Sequence, residues 1–325
     1  MNSQTKRYFY NFVKYLIGIT LITIILRKVD LRELLDTVNR SNFIFVFIST
    51  FVFGLASISL GLRLHVLLQK FGFNLPTSLK ILFISIFLNN VTTSVLGDAY
   101  KLVIFRKRMA SYKSSISILL LERGIGFAVV FFMLMAYFFI AHGEIFSLLK
   151  EFDFNLRIFN PVILVVLGIT LIISILFVKK YYLRLIHYFR DFIKVFKDTS
   201  IGLTFPKYFS LTVWTIISQL LITLHIYLLI KSLSENILIL DVLFVVILTF
   251  IAAYIPVSVG SLGIREGVTI IGLSFYGISV PAATAVAFMS RIIIYLYSAL
   301  GGILFILFKR QTVLPMQEVD QSPTL

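Results

Sequence analysis

The residues in this chain best suited to do chemistry are charged side chains set in or against apolar runs: Asp98, Lys101, Glu122, Arg123, Arg265, Glu266 and Arg291. A charge at the centre of a membrane-spanning helix costs about 2.5–3.5 kcal/mol on insertion scales. Such groups persist only when they pair, face water or serve a site. Asp98, Glu122 and Glu266 are acidic, and Arg123, Arg265 and Arg291 could neutralise them. Two arrangements satisfy the set. In one, buried ion pairs hold helices in register. In the other, a polar cavity receives a charged lipid head group, for which Arg is suited because its planar fork grips phosphate or carboxylate with two bonds. Glu122 and Arg123 lie about 100° apart on a helix, so they reach different partners.

Other chemistry is excluded or unsupported. The chain has no cysteine, which removes disulfides, thiolate metal ligands and thiol catalysis. His65, His142, His187 and His225 are far apart and make no metal-binding spacing. Neither a nucleotide-binding loop nor a nucleophile elbow is present; Gly260-Ser261-Leu262-Gly263 does not fit the latter. No metal, cofactor or catalytic residue is expected. His225 and Gln219, inside an apolar run, read as hydrogen-bonded groups between helices.

The elements that position these charges belong to a membrane. The chain of 325 residues is 59% hydrophobic and 14% charged, with 33 Phe and a mean hydropathy of +0.98; soluble domains are roughly 45–50% apolar and about 25% charged. The net charge of +15 fits loops facing an anionic leaflet rather than nucleic acid, because no basic soluble stretch is long enough to carry it. The expected fold is all-α: a polytopic helical membrane protein with one transmembrane domain over residues 1–310 and a short disordered tail over 311–325.

About 20 apolar residues span the bilayer as a helix. Six runs qualify: Phe9–Leu26, Phe43–Leu62, Ile116–Ile140, Val162–Val178, Tyr208–Ile230 and Val280–Phe308. The first is a retained helix, since no small-residue cleavage site precedes Arg27-Lys28. Two further runs are interrupted. Ile81–Leu96 carries Asn89, Asn90, Thr92, Thr93 and Ser94; Val242–Val259 is broken by Pro256 and followed by Gly260, Gly263 and Gly267. If both are re-entrant and the N-terminus is cytoplasmic, 20 Lys and Arg face the cytoplasm against 8 outside, the bias that the positive-inside rule favours. Both termini are then cytoplasmic, in a plasma membrane. Residues 179–198 form a basic amphipathic surface helix. Asp30 to Glu33 match a capping box, ahead of a stripe of Leu31, Leu34, Leu35 and Val38.

The two interrupted runs share a layout, in units of about 79–140 and 237–308. Each has a polar, broken apolar segment, then Leu-Gly, a charged residue, a short helix and a long span with an internal Arg. The topology inserts them from opposite sides, as an inverted repeat. Transporters place substrate sites between such broken helices. Gly97, Pro256, Gly260 and Gly263 supply the irregular backbone.

PVSVGSLGIREG (256–267) resembles the PxSxGGxGxRE signature of the lysylphosphatidylglycerol synthase transmembrane region, a flippase-like family. GDAYK (97–101) resembles its GD-x-x-R segment and LERGIG (121–126) its ER-x-x-G/D helix. Ser261 stands where Gly is usual, and Lys101 where Arg is common. The resemblance implies about eight membrane segments, two of them re-entrant. The best-known members of that family fuse this region to a soluble aminoacyl-transferase domain; this chain is expected to be a stand-alone member without it, so lysyl-lipid synthesis is not expected.

The function expected is translocation or binding of a lipid with an anionic, phosphate-bearing head group, without ATP hydrolysis. The lipid would be a membrane phospholipid or a polyprenyl-phosphate-linked lipid. Asp98, Lys101, Glu122 and Arg123 would line the inner half of the site, and Arg265, Glu266 and Arg291 the outer half. The alternatives are a non-transporting partner of a glycosyltransferase or other lipid-modifying enzyme, and an integral membrane transferase acting on lipid phosphate. The sequence leaves the oligomeric state open.

Overall fold

The computed structural model describes residues 23, 31–91, 96–109, 112–151, 204–253 and 260–311. Its regular structure among these residues is helical: α1 (Leu31–Asn39), α2 (Phe43–Leu68), α3 (Leu75–Val91), α4 (Leu96–Arg108), α5 (Tyr112–Glu151), α6 (Phe205–Ser232), α7 (Ile239–Ala253), α8 (Ile264–Phe275) and α9 (Val280–Gln311), with one 3-10 turn over Gln69–Phe71. Two compact units emerge, Met1–Val103 with Ile217–Leu325, and Ile104–Ile216. The expected spans at 9–26 and 162–178, the amphipathic segment 179–198, Pro256 and the tail beyond Gln311 lie outside the described residues.

Four described helices are long and apolar enough to cross a membrane: Phe43–Phe71, Ser114–Ile140, Phe205–Ser232 and Val280–Leu307. These are the four expected spans that fall within the described residues. The interrupted runs form shorter apolar helices, Leu75–Val91 and Ile239–Ala253.

In the larger unit, α2 illustrates how membrane helices sort their side chains. Phe43, Phe47, Phe51, Leu55 and Ile58 are exposed; the spacing of three or four puts them on one face, where lipid is the solvent. The buried positions are mostly small: Ser49, Gly54, Ala56, Ser57, Ser59 and Gly61. Lipid chains are as apolar as Leu, so helix association relies on close packing and hydrogen bonds between small residues. Asn42 caps α2 by accepting from the Ile44 N–H at 3.0 Å. The Asn42 N–H donates to the Ser232 carbonyl at 2.7 Å, which ties the start of α2 to the end of α6.

The core of this unit is built from α6 to α9, with Leu229, Ile230, Val242, Val245, Leu273, Ala283 and Val286 among its buried residues. Leu34 and Val38 of α1 pack against it, while Leu35 stays exposed. The leucine stripe therefore docks in part on the core of α6–α9.

α7 and α8 run antiparallel. Phe244 meets Tyr276 with ring centroids 6.4 Å apart, a Cβ on Gly272 would stand 3.0 Å from Val245, and the Thr249 and Thr269 hydroxyls are 3.2 Å apart. Helix α8 thus runs back alongside α7. α3 and α4 also approach each other at their break: the Gly97 N–H donates to Asn89 Oδ1 at 2.8 Å, and a Cβ at Gly97 would collide with the Ser85 carbonyl. Phe87 of α3 and Tyr100 of α4 both meet the Phe305 ring at 6.3 Å. The order of short helix, break, short helix and long helix therefore occurs twice, as α3–α4–α5 and α7–α8–α9.

Candidate functional site

Where α7 gives way to α8, the backbone departs from helical geometry. Gly260 (φ 57°), Ser261 (φ 56°) and Gly263 (φ 82°) all adopt positive φ, which glycine enters freely and other residues rarely. Ser261 is held there in part by its hydroxyl, which donates to the Ala253 carbonyl at 2.7 Å. That carbonyl belongs to the last turn of α7, where acceptors lack helical partners. A glycine at this position would avoid the strain and forgo the bond.

The first turn of α8 then supplies Arg265 and Glu266. Glu266 is 3% exposed, and its Oε2 accepts from the Gly263 N–H at 2.6 Å. A carboxylate at this place satisfies an orphan donor and complements the positive end of the helix dipole. Its Oε1 accepts from Nε of Arg291 on α9, in a fully buried ion pair. Arg291, 5% exposed, donates further from Nη1 to the Gly260 carbonyl at 3.2 Å, with Nη2 3.5 Å from the Ser261 carbonyl. Its guanidinium also lies 5.6 Å from the Tyr295 ring centroid. Arg291 and Glu266 thus clamp the 260–266 turn to α9. Burying two charges is costly unless geometry and further hydrogen bonds compensate; here the extra partners are backbone groups that the broken helix leaves open.

Beside this clamp lies a cavity of about 110 Å³, walled by α2, α6, α7, α8 and α9. That volume holds several water molecules or a phosphate-sized group. Arg265, Glu266 and Arg291 line it, together with Gln219, His225, Thr249, Thr269 and Ser290. The rest of the wall is apolar, including Phe53, Ile222, Val245 and Phe250.

Two wall residues behave differently from each other. His225 is bound at both ring nitrogens: Nδ1 lies 2.7 Å from the Ser49 hydroxyl and Nε2 lies 3.0 Å from the Ser290 hydroxyl. Ser49 Oγ donates to the His225 carbonyl at 2.9 Å, so Nδ1–H donates to Ser49 and Nε2 accepts from Ser290 in a neutral ring. The expected interhelical role of His225 holds. Gln219 departs from it. The residue is 3% exposed, yet its amide oxygen has no hydrogen-bond partner.

The sequence-derived site is thus gathered in part. Arg265, Glu266 and Arg291 meet at one cavity, and Gly260 and Gly263 shape the turn beside it. Asp98 sits half-buried in the first turn of α4 and Lys101 is buried one turn later; neither lines the cavity. Gly97 makes the close α3–α4 turn. Glu122 is buried and Arg123 half-buried on α5, in the other compact unit. Pro256 lies outside the described residues. Thr249, Thr269 and Ser290 carried no signal in the sequence, since hydroxyls on apolar helices commonly bond their own backbone. Among the described residues, no cluster of His, Asp or Glu is arranged to hold a metal.

Long apolar helices, two broken short pairs and an interior ion pair define an integral, multi-pass α-helical membrane protein. The chain belongs to the family of the lysylphosphatidylglycerol synthase TM region, whose model matches residues 11–301. That membership links it to lipid handling in a membrane. No curated protein matches the chain significantly.

Proposed function

We propose that this protein binds the anionic, phosphate-bearing head group of a membrane lipid and carries it between leaflets without hydrolysing ATP or catalysing a covalent step. The cavity beside α8 carries the reading. Among its described lining residues, two guanidiniums stand against one carboxylate, an excess that suits an anion. Arg265 lines this cavity with a planar fork that suits phosphate, while the apolar walls suit the adjoining glycerol or acyl region. A phospholipid and a polyprenyl-phosphate-linked lipid both present this chemistry.

The doubled order of helices supports an inverted repeat whose α3–α4 and α7–α8 pairs enter from opposite faces and return. Irregular backbone at membrane depth survives only when buried or lining a wet cavity, which is how the Gly260–Gly263 turn sits. In this reading Arg265, Glu266 and Arg291 serve the outer half of the path, and Asp98, Lys101, Glu122 and Arg123 the inner half. Both termini face the cytoplasm of a plasma membrane.

The test is flipping of a fluorescent anionic lipid in proteoliposomes. Arg265→Ala and Arg123→Ala are expected to slow flipping at least tenfold, the scale of one charge-assisted contact. Wild-type rates in both folded variants would overturn the assignment.

A further inference from the structure

His225 of α6 joins three helices, and its two ring nitrogens meet different surroundings. Nδ1 lies 2.7 Å from the Ser49 hydroxyl and 3.2 Å from the Ser49 carbonyl on α2. A carbonyl only accepts, and the Ser49 hydroxyl directs its own hydrogen to the His225 carbonyl, so Nδ1 carries the ring hydrogen. Nε2 is left with a lone pair, which takes the hydrogen of the Ser290 hydroxyl on α9 at 3.0 Å. His225 and Ser290 both line the cavity, whereas Ser49 is not among its described lining residues. The ring is therefore polarised. Its fixed N–H is tied up in the α2 contact, and its basic nitrogen sits at the cavity wall. A proton can enter at Nε2 without moving a side chain. On uptake from solvent, Nε2–H donates to the Ser290 oxygen, and the Ser290 hydrogen turns to a new acceptor. The Val286 carbonyl, four residues back on α9, is the acceptor that helical hydroxyls commonly use; Thr284 of the same helix donates in this way to Val280 at 2.7 Å.

The charges around the cavity decide what such a proton does. Among the described lining residues, α2, α6 and α7 contribute no ionisable group besides His225 itself; α8 contributes Arg265 and Glu266, and α9 contributes Arg291. Glu266 is engaged by Arg291 and by the Gly263 N–H. An imidazolium is thus a further positive charge in a wall that already holds two guanidiniums against one carboxylate, and an anion in the cavity attracts it. Coupling between two ligands is reciprocal: a proton on His225 tightens anion binding by the same factor by which a bound anion favours the proton. We infer that Nε2 of His225 is a proton-binding site coupled to the cavity, so that an anionic head group binds together with a proton. The inference rests on the anionic head-group reading above and adds the ion that accompanies the lipid, whichever anionic head group it bears.

The experiment uses the purified full-length protein in detergent and dioctanoyl phosphatidylglycerol, whose phosphodiester keeps its single charge across the interval in which histidine titrates, about pH 5 to 8. Dioctanoyl glycerol, with the same chains and no charge, is the reference. Wild-type affinity for phosphatidylglycerol is expected to rise at least about fivefold across that interval as pH falls, while affinity for dioctanoyl glycerol stays flat. In weakly buffered solution, binding of phosphatidylglycerol should also draw up to about one proton per protein from solvent. This second measurement uses the wild-type protein alone, so it decides the matter even where a variant fails to fold. In His225→Gln and in His225→Asn the rise with acid should vanish. His65→Gln, which removes a histidine that does not line the cavity, should keep it.

Phosphatidylglycerol binding that exceeds the reference but is flat with pH, or weakens in acid, would overturn the proton site and leave the head-group reading standing; His225 would then only tie α2, α6 and α9 together. A rise that survives both substitutions of His225, or binding with no proton uptake, would overturn it too. Equal binding of phosphatidylglycerol and dioctanoyl glycerol at every pH would instead overturn the anionic head-group reading, and the proton site with it.

Discussion

Arg291 on α9 and Glu266 on α8 stand 25 positions apart in the chain and form one buried ion pair, which fixes the turn between α7 and α8. Breaking such a pair from one side strands a charge, at a cost of about 3–5 kcal/mol. Arg291→Met is therefore expected to lower the thermal stability of the purified protein strongly, since it also deprives the Gly260 carbonyl of a donor. The double variant Glu266→Gln with Arg291→Met removes both charges and should recover part of that loss. Additive losses in a double-mutant cycle would mean that the pair does not act as a unit.

Gly260 brings the two broken-helix pairs into contact. A Cβ added there would lie 3.0 Å from the Asn90 carbonyl oxygen, at the end of α3, and would be held at a φ of 57°. Strain of this kind costs about 1–3 kcal/mol. Gly260→Ala should accordingly lower the melting temperature, whereas Gly267→Ala, whose added Cβ meets nothing within 4 Å, should leave it nearly unchanged and serves as the helical control. Equal behaviour of the two variants in a thermal melt would refute the contact.

Much of this arrangement was legible in the sequence for physical reasons. Long apolar runs such as Phe43–Leu62 and Val280–Phe308 have few ways to fold in a bilayer other than as helices, and both appear. Glycines near a charged Arg-Glu pair announced a break, and the turn at Gly260–Gly263 is there. The partner of each charge was not legible, because a helix sequence gives the face of a residue and not its neighbour. The sequence offers Arg291 several acids; the turn geometry selects Glu266. Gln219 departs from the hydrogen-bonded role that its run suggests, since nothing in that run reveals what its amide oxygen meets. The hydroxyl pair Thr249–Thr269 depends on the antiparallel register of α7 and α8, which no local pattern encodes.

The same-side contacts of the larger unit make a topology prediction. Asn42 bonds Ser232 and the Ser279 hydroxyl lies 3.5 Å from Glu235, so the starts of α2 and α9 and the end of α6 share one side. The charge bias of the loops predicts that this side is the outer one. The absence of native cysteine permits clean labelling. A cysteine at exposed Asn236 should react with a membrane-impermeant maleimide in intact cells, and one at exposed Gln69 only after permeabilisation. Reaction of both without permeabilisation, or the reverse pattern, would invert or abolish the orientation.

Ser261 offers a test of how the turn tolerates a residue other than glycine. Its φ of 56° carries a left-handed penalty of roughly 1–2 kcal/mol for an L-residue, and its bond to the Ala253 carbonyl returns about 1 kcal/mol. Ser261→Gly removes the strain and the bond together, and it adds freedom to the unfolded chain worth about 0.4–1 kcal/mol. These terms nearly cancel, so the melting temperature should move little. Ser261→Ala keeps the strained φ and loses the bond, leaving a part-buried carbonyl without its donor, and should be the less stable variant by about 1 kcal/mol. Thermal melts of the three proteins in one detergent decide the matter. If Ser261→Ala matches the parent while Ser261→Gly falls well below both, the hydroxyl does not hold the turn, and the end of α7 must be satisfied by another group.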